Sequence, residues 1–149
     1  MKLKTVLRWL HLWPPYWGAG IRVVYFSPDI RKIDVEMKLR FWNKNYVGTH
    51  FGGSMYSMAD PFIMLMLLHN LGPQYIVWDK AATIRFKRPG RGRITASFVV
   101  TEEDLKKIKD EAECSPKVEP VFNIVTRDEQ GDVVAEVEKI LYVKRKQNQ

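Results

Sequence analysis

The sequence predicts an α+β domain in which a mostly antiparallel sheet wraps around one long buried helix, about Phe51 to Leu71, preceded by an amphipathic N-terminal helix. Three observations predict it. The segment Ser54 to Leu68 is apolar almost all round, as a helix enclosed on nearly every side must be. Stretches on both sides of it alternate apolar and polar residues with the period of two that a strand imposes. The length, 149 residues, suits a single domain spanning 1–149 and burying one core.

From the N-terminus, Leu3, Val6, Leu7, Leu10 and Trp13 recur at helical spacing, with Lys2, Lys4, Arg8 and His11 on the other faces. They predict a helix of about three turns that Pro14 and Pro15 stop, so that residues 1–20 form a helix and a Pro-rich connection. We read its apolar stripe as packing against the domain or a second subunit in preference to contacting a membrane surface. Ile21 to Phe26, branched and aromatic, is a strand ended by Ser27-Pro28-Asp29. Ile33 to Phe41 is the clearest strand, with Ile33, Val35, Met37, Leu39 and Phe41 on one face. Trp42 to Thr49 is a polar connection, and the buried helix that follows ends at Gly72-Pro73. Ile76 to Lys87, Arg93 to Val100, Val121 to Thr126 and Val133 to Val143 supply the wrapping strands, the last two joined by a hairpin turn at Gly131. Thr101, followed three residues later by Asp104, caps a charged helix, so 101–116 reads as a helical insertion at the surface.

Composition excludes several classes. With 46% hydrophobic and 12% aromatic residues the chain is no solvated disordered segment. Cys114 is the only cysteine, which rules out an intrachain disulfide and a Cys-based zinc site and fits a reducing, cytoplasmic setting. Arg8 and His11 interrupt the apolar start, so it is not read as a secretory signal, and the run Pro61 to Leu68 falls far short of the ~20 residues of a membrane span. Twenty-four Lys and Arg against seventeen acids give +7; residues 1–100 alone carry fifteen against five, which marks them as the anion-facing part. No nucleic-acid module accompanies that charge, so no nucleic-acid partner is expected.

The informative segment is Asn45-Tyr46-Val47-Gly48-Thr49-His50-Phe51-Gly52-Gly53, with Asp60 seven residues beyond. Adjacent glycines opening a helix let a ligand approach free backbone N–H groups, which with the helix dipole favour developing negative charge. An oxyanion site needs that arrangement. Asp60 lies about two helical turns further along the axis. Each residue also has a plain reading: Asp60 as a hydrogen-bonded or paired buried acid, the glycines as close packing, and Asn45 as an Asx turn.

This run resembles the N-x-x-G-T-x-H-G-G segment, followed seven residues later by an acid, of the hot-dog fold thioesterase superfamily. It is most similar to the thioesterase-like branch of largely uncharacterised bacterial proteins, in which V-W-D-K-A-A-T-I-R-F (here from Val77) also recurs. The resemblance implies hydrolysis of an acyl thioester, coenzyme A entering only as part of the substrate, at the interface of a homodimer or homotetramer. By position it implies that Asp60 acts as general base or nucleophile, Gly52 polarises the carbonyl with Gly53 beside it as a second candidate donor, and Asn45 positions water. Asp79 falls where relatives carry a hydroxyl residue that helps hold that water. Two departures stand out: Phe51 replaces the His before the glycines, leaving His50 one place early, and Asp79 doubles the acids, which would repel unless Lys80 or Arg85 compensates.

Around Pro89-Gly90, Arg85, Lys87, Arg88, Arg91 and Arg93 form a cationic turn, of which Arg85, Lys87, Arg88 and Arg91 are candidates for the CoA phosphates. Met55 and Met58 suit a core or a pliable acyl tunnel. No metal-ligand spacing is present, so no metal is expected. Besides the hydrolase, the residues admit a non-catalytic acyl-CoA or fatty-ligand binding module, and a 3-hydroxyacyl-thioester dehydratase using His50 and Asp60.

Overall fold

The structure, a computed structural model, describes residues 2–146. Six strands form one antiparallel sheet: β1 (Ile21–Phe26), β2 (Lys32–Lys38), β3 (Tyr75–Phe86), β4 (Arg93–Val99), β5 (Val121–Arg127) and β6 (Val133–Arg145), in the order β1-β2-β4-β5-β6-β3. The expected alternation places Ile33, Val35 and Met37 of β2 and Ile94, Ala96 and Phe98 of β4 on the buried face. That face curls around the central helix, whose Phe62 meets Phe98 with ring centroids 4.9 Å apart. β1 and β3 are the two sheet edges, at opposite ends.

The central helix is not continuous. It comprises α3 (Gly52–Ala59) and α4 (Phe62–Leu71), broken at Asp60-Pro61. Pro61 has no N–H to give the Ser57 carbonyl, and its ring would clash with that carbonyl in a straight helix. The Tyr16 hydroxyl takes the missing donor's place, donating to Ser57 O at 2.8 Å, and the Asp60 N–H reaches the same oxygen at 3.3 Å. The break turns the Asp60 peptide out of the helical ladder and makes room for a side chain from the sheet.

Three further elements depart from the sequence reading by more than a residue or two at a strand end. The N-terminal region forms α1 (Leu3–Trp9), a 3-10 turn (Leu10–Leu12) and then α2 (Pro14–Ala19), so the two prolines open a second helix at its first positions, where their missing N–H costs nothing. Leu7 and Tyr16 anchor this region in the core. β2 ends at Lys38, short of Phe41, which is 81% exposed. The Asn43 side chain accepts from the Arg40 N–H and donates to the carbonyls of Lys38 and Ala19, drawing the chain away from the sheet. Finally, α5 (Glu102–Cys114) is more than a surface insertion, because its stripe of Leu105, Ile108 and Ala112 is buried. Its expected cap is present, with Asp104 N–H donating to Thr101 Oγ1 and Thr101 N–H to Asp104 Oδ2.

Candidate active site

The loop before α3 folds on its own polar groups. Asn45 Oδ1 accepts from the Thr49 N–H at 2.9 Å, and Asn45 Nδ2 donates to Thr49 Oγ1 and the His50 carbonyl. Both amide hydrogens are thereby committed to the loop; only acceptor capacity on Oδ1 is left for a water. His50 is buried and its Nε2 lies 2.9 Å from the Gly92 carbonyl, which fixes Nε2 as the protonated nitrogen. Burial holds its pKa below the usual histidine value, against the opposing pull of the Gly92 hydrogen bond. With its backbone N–H also donating to Gly90 O, His50 staples the loop to the Gly90–Gly92 turn. The dehydratase role expected of it would fall to Nδ1 alone.

This scaffold presents the start of α3. Phe51 is the N-cap and its carbonyl accepts from Ser54 and Met55, while its side chain caps nothing. No acceptor among the described residues engages the Gly52 and Gly53 N–H groups. Both positions are tight: a Cβ on Gly52 would stand 3.0 Å from the Phe86 ring and one on Gly53 would stand 2.5 Å from that of Phe51, so a side chain at either would have to displace an aromatic ring. Phe51, which stands where the resembling family carries His, packs its ring against Gly53. Beside Gly52 opens a cavity of ≈ 400 Å³ whose walls include Asn45, His50, Met55, Phe86 and Lys87.

Asp60 lies outside that cavity. Its carboxylate belongs to a second cluster at the helix break, centred on Lys139 of β6, whose side chain is fully buried. Lys139 Nζ donates to the Asp60 carbonyl and stands 3.4 Å from Asp60 Oδ1 and 2.8 Å from Asp79 Oδ1. The contact with Asp79 is an ion pair without hydrogen-bond alignment, so the buried Oδ1 receives charge but no directed donor. Tyr56 OH donates to Asp60 Oδ1 at 3.1 Å. Burial, followed by the charge of Asp60, pushes the Tyr56 phenol up to about 12, so it remains a donor. Asp60 remains half exposed, with Oδ2 uncommitted among the described residues.

The cation that reconciles the two acids is therefore Lys139, and neither Lys80 nor Arg85. Lys80 sits in the β3 bulge and reaches Glu119 at 2.7 Å; Arg85 makes no ion pair among the described residues. Lys139 was legible in principle, since Val137, Lys139, Leu141 and Val143 share the inward face of a strand and a cation there requires a buried acid. Other expected positions divide. Met55 lines the cavity, whereas Met58 is fully buried in the core. Lys87 and Arg88 line the cavity but pair with Glu136 and Asp132 respectively. Arg85 and Arg91 are exposed and outside its walls.

The strand order around an enclosed helix is that of the hot-dog fold. A family model described as a domain of unknown function, DUF4442, matches residues 4–143. No curated protein matches the sequence. Among solved structures, a Pseudomonas aeruginosa protein of unknown function, described as a probable thioesterase, superposes with a TM-score of 0.85 at 21% identity, covering 97% of each chain. A thioesterase from Haemophilus influenzae gives 0.67 at 17% identity over 97% of this chain and 92% of its own. A mutant thioesterase from Pseudomonas aeruginosa gives 0.70 at 15% identity over 97% and 95%.

Proposed function

The chain belongs to the DUF4442 family, and from that premise we propose that it hydrolyses acyl thioesters, with acyl-CoA as the substrate class. The observation that carries this reading is the unengaged N–H of Gly52 in the wall of a cavity of ≈ 400 Å³ that the flexible apolar side chain of Met55 also lines, with the unengaged N–H of Gly53 next to it in the helix. A thioester carbonyl oxygen placed on those donors would be stabilised as it gains charge. Water attacks the carbonyl carbon, Asp60 Oδ2 accepts its proton, and the C–S bond breaks to give a carboxylic acid and a thiolate that takes the proton up. The Oδ1 acceptor of Asn45 suits the water's second hydrogen.

One protomer does not bring these parts together, because Gly52 and Asp60 are separated by about two turns of helix and only Gly52 borders the cavity. The reading therefore requires a dimer in which Asp60 of one subunit faces Gly52 of the other. β3 offers the means: among the described residues it pairs only with β6, and Lys80 to Thr83 are exposed along its open edge, so two copies can continue one sheet across a two-fold axis. Exposed Arg85 and Arg91 would then meet the nucleotide phosphates of CoA.

Non-catalytic acyl-thioester binding is the second reading, favoured by the Lys139 ammonium and the Tyr56 hydroxyl, which already engage Asp60 Oδ1 and leave Oδ2 alone to meet a water. Turnover of acyl-CoAs of short, medium and long chain by the protein and by Asp60→Asn separates the two. Hydrolysis that Asp60→Asn abolishes supports the enzyme; thermal stabilisation by acyl-CoA without release of free thiol supports the binder.

A further inference from the structure

The face built by the N-terminal helices has no part in the site above. Trp9, Leu12, Trp13, Trp17, Phe41 and Trp42 are each between 49% and 81% exposed on it. These are not frayed ends. Leu7 and Tyr16 bury the opposite side of the same helices, and the Asn43 side chain ties the loop carrying Phe41 and Trp42 to the Ala19 carbonyl. Trp17 and Trp42 border a shared recess of ≈ 320 Å³ together with Arg22 and Arg40, and the Arg40 guanidinium stacks 5.2 Å from the Trp42 ring centre. The two stretches that make this face, residues 2–26 and 38–51, contain seven Lys and Arg and no Asp or Glu.

We propose that this face docks on an anionic phospholipid membrane. Indole rings favour the headgroup layer, where the apolar body is buried while the N–H stays wet. Lys2, Lys4, Arg8, Lys38 and Lys44, all exposed on the two stretches that carry the rings, suit the negative surface potential of such a bilayer. Protein partners fit less well, since protein interfaces are depleted in lysine, which is abundant here. The position in the sheet agrees: the helices pack at the β1 end, and the free β3 edge lies at the other, so dimerisation through β3 leaves the aromatic face uncovered. Two such faces per dimer add avidity. The proposal is independent of turnover; an acyl-thioester hydrolase seated this way would meet amphiphilic substrates at the bilayer surface.

Co-sedimentation with vesicles tests it, using phosphatidylcholine alone and an equal mixture of phosphatidylcholine and phosphatidylglycerol. The protein should partition onto the mixed vesicles at least about tenfold more strongly than onto the neutral ones, with the difference shrinking as salt is raised. Trp9→Ala with Trp17→Ala should lower partitioning at least about tenfold, and the separate variant Arg8→Glu with Arg40→Glu should do the same, each with an unchanged melting temperature. Equal partitioning onto both vesicle types, or none, overturns the proposal. A fall in oligomeric mass of the tryptophan variant without vesicles also overturns it, because the face would then join copies of the chain.

Discussion

The Lys139 ammonium stands 2.8 Å from the Asp79 carboxylate, which makes a strand lysine the counter-ion of a site whose other parts lie on the central helix. Since Lys139 also bonds the Asp60 carbonyl that the break at Pro61 exposes, one side chain both satisfies the backbone and holds the two acids together. Replacing it tests both roles. Lys139→Met should lose about 2 to 3 kcal/mol in urea unfolding, because two carboxylates are left facing each other without a cation. In the double variant with Asp79→Asn most of that loss should return, so the pair shows strong coupling in a double-mutant cycle. Additive losses would dismiss the assignment.

Tyr16 carries a separate prediction. Its hydroxyl supplies the donor that Pro61 withholds from Ser57, and burial pushes its pKa upward, so it stays protonated. Tyr16→Phe keeps the ring and deletes the donor; it should cost about 1 kcal/mol, at the low end because the Asp60 N–H also reaches that carbonyl. Tyr16→Ala, which also empties the ring's site between Trp13 and Phe62, should cost about 3 to 5 kcal/mol. Equal urea midpoints for Tyr16→Phe and the parent would show that the carbonyl needs no such donor.

His50 predicts a pH dependence. Its folded-state pKa is depressed by burial, so the unfolded chain binds the extra proton more readily. Stability from the neutral ring is present above the unfolded value of about 6.5 and is lost as pH falls below it toward the folded value. Urea unfolding between about pH 7 and about pH 5 should show this slope, and His50→Gln should flatten it. A slope that is the same in both proteins would place the titration elsewhere.

How far the sequence reaches is clear from particular residues. β1 matches its expected bounds, and Ile33, Val35 and Met37 point inward as their alternation requires, because pattern and burial act on the same short segment. Phe41 obeys the same alternation and is nonetheless exposed, since Asn43 diverts the chain through bonds to Ala19, 24 residues away in sequence. Asp60-Pro61 was visible, but that Pro61 breaks the helix, with Tyr16 covering the freed carbonyl, depends on a contact spanning 41 residues. The role of Lys139 depends on one spanning 79. Local bonding by Asn45 could be anticipated as an Asx turn; long-range satisfaction of buried polar groups could not.

The two-subunit site makes a sharp kinetic prediction. Gly52→Val fills the space before Phe86 and Asp60→Asn removes the base, so each homodimer should be inactive under the hydrolase reading. If Gly52 and Asp60 act across the interface, each mixed dimer has one intact site, and random re-assortment should restore about a quarter of the parent turnover. No recovery after verified exchange of subunits would mean that both residues act within one chain, or that neither acts.

The cationic turn separates binding from chemistry. Lys87 and Arg88 are already held by Glu136 and Asp132, whereas Arg85 and Arg91 make no ion pair among the described residues. A phosphate of CoA would therefore compete with an acid at the first two and with water alone at the second two. Arg85→Glu with Arg91→Glu should raise KM about tenfold or more and leave kcat within about twofold, since charges remote from the reacting carbon bind ground and transition states alike. The KM of the parent should rise with salt while that of the variant changes little. With an acyl pantetheine lacking the nucleotide phosphates, parent and variant should become equal; a persistent difference would mean that these arginines contact another part of the substrate or shape the cavity from a distance.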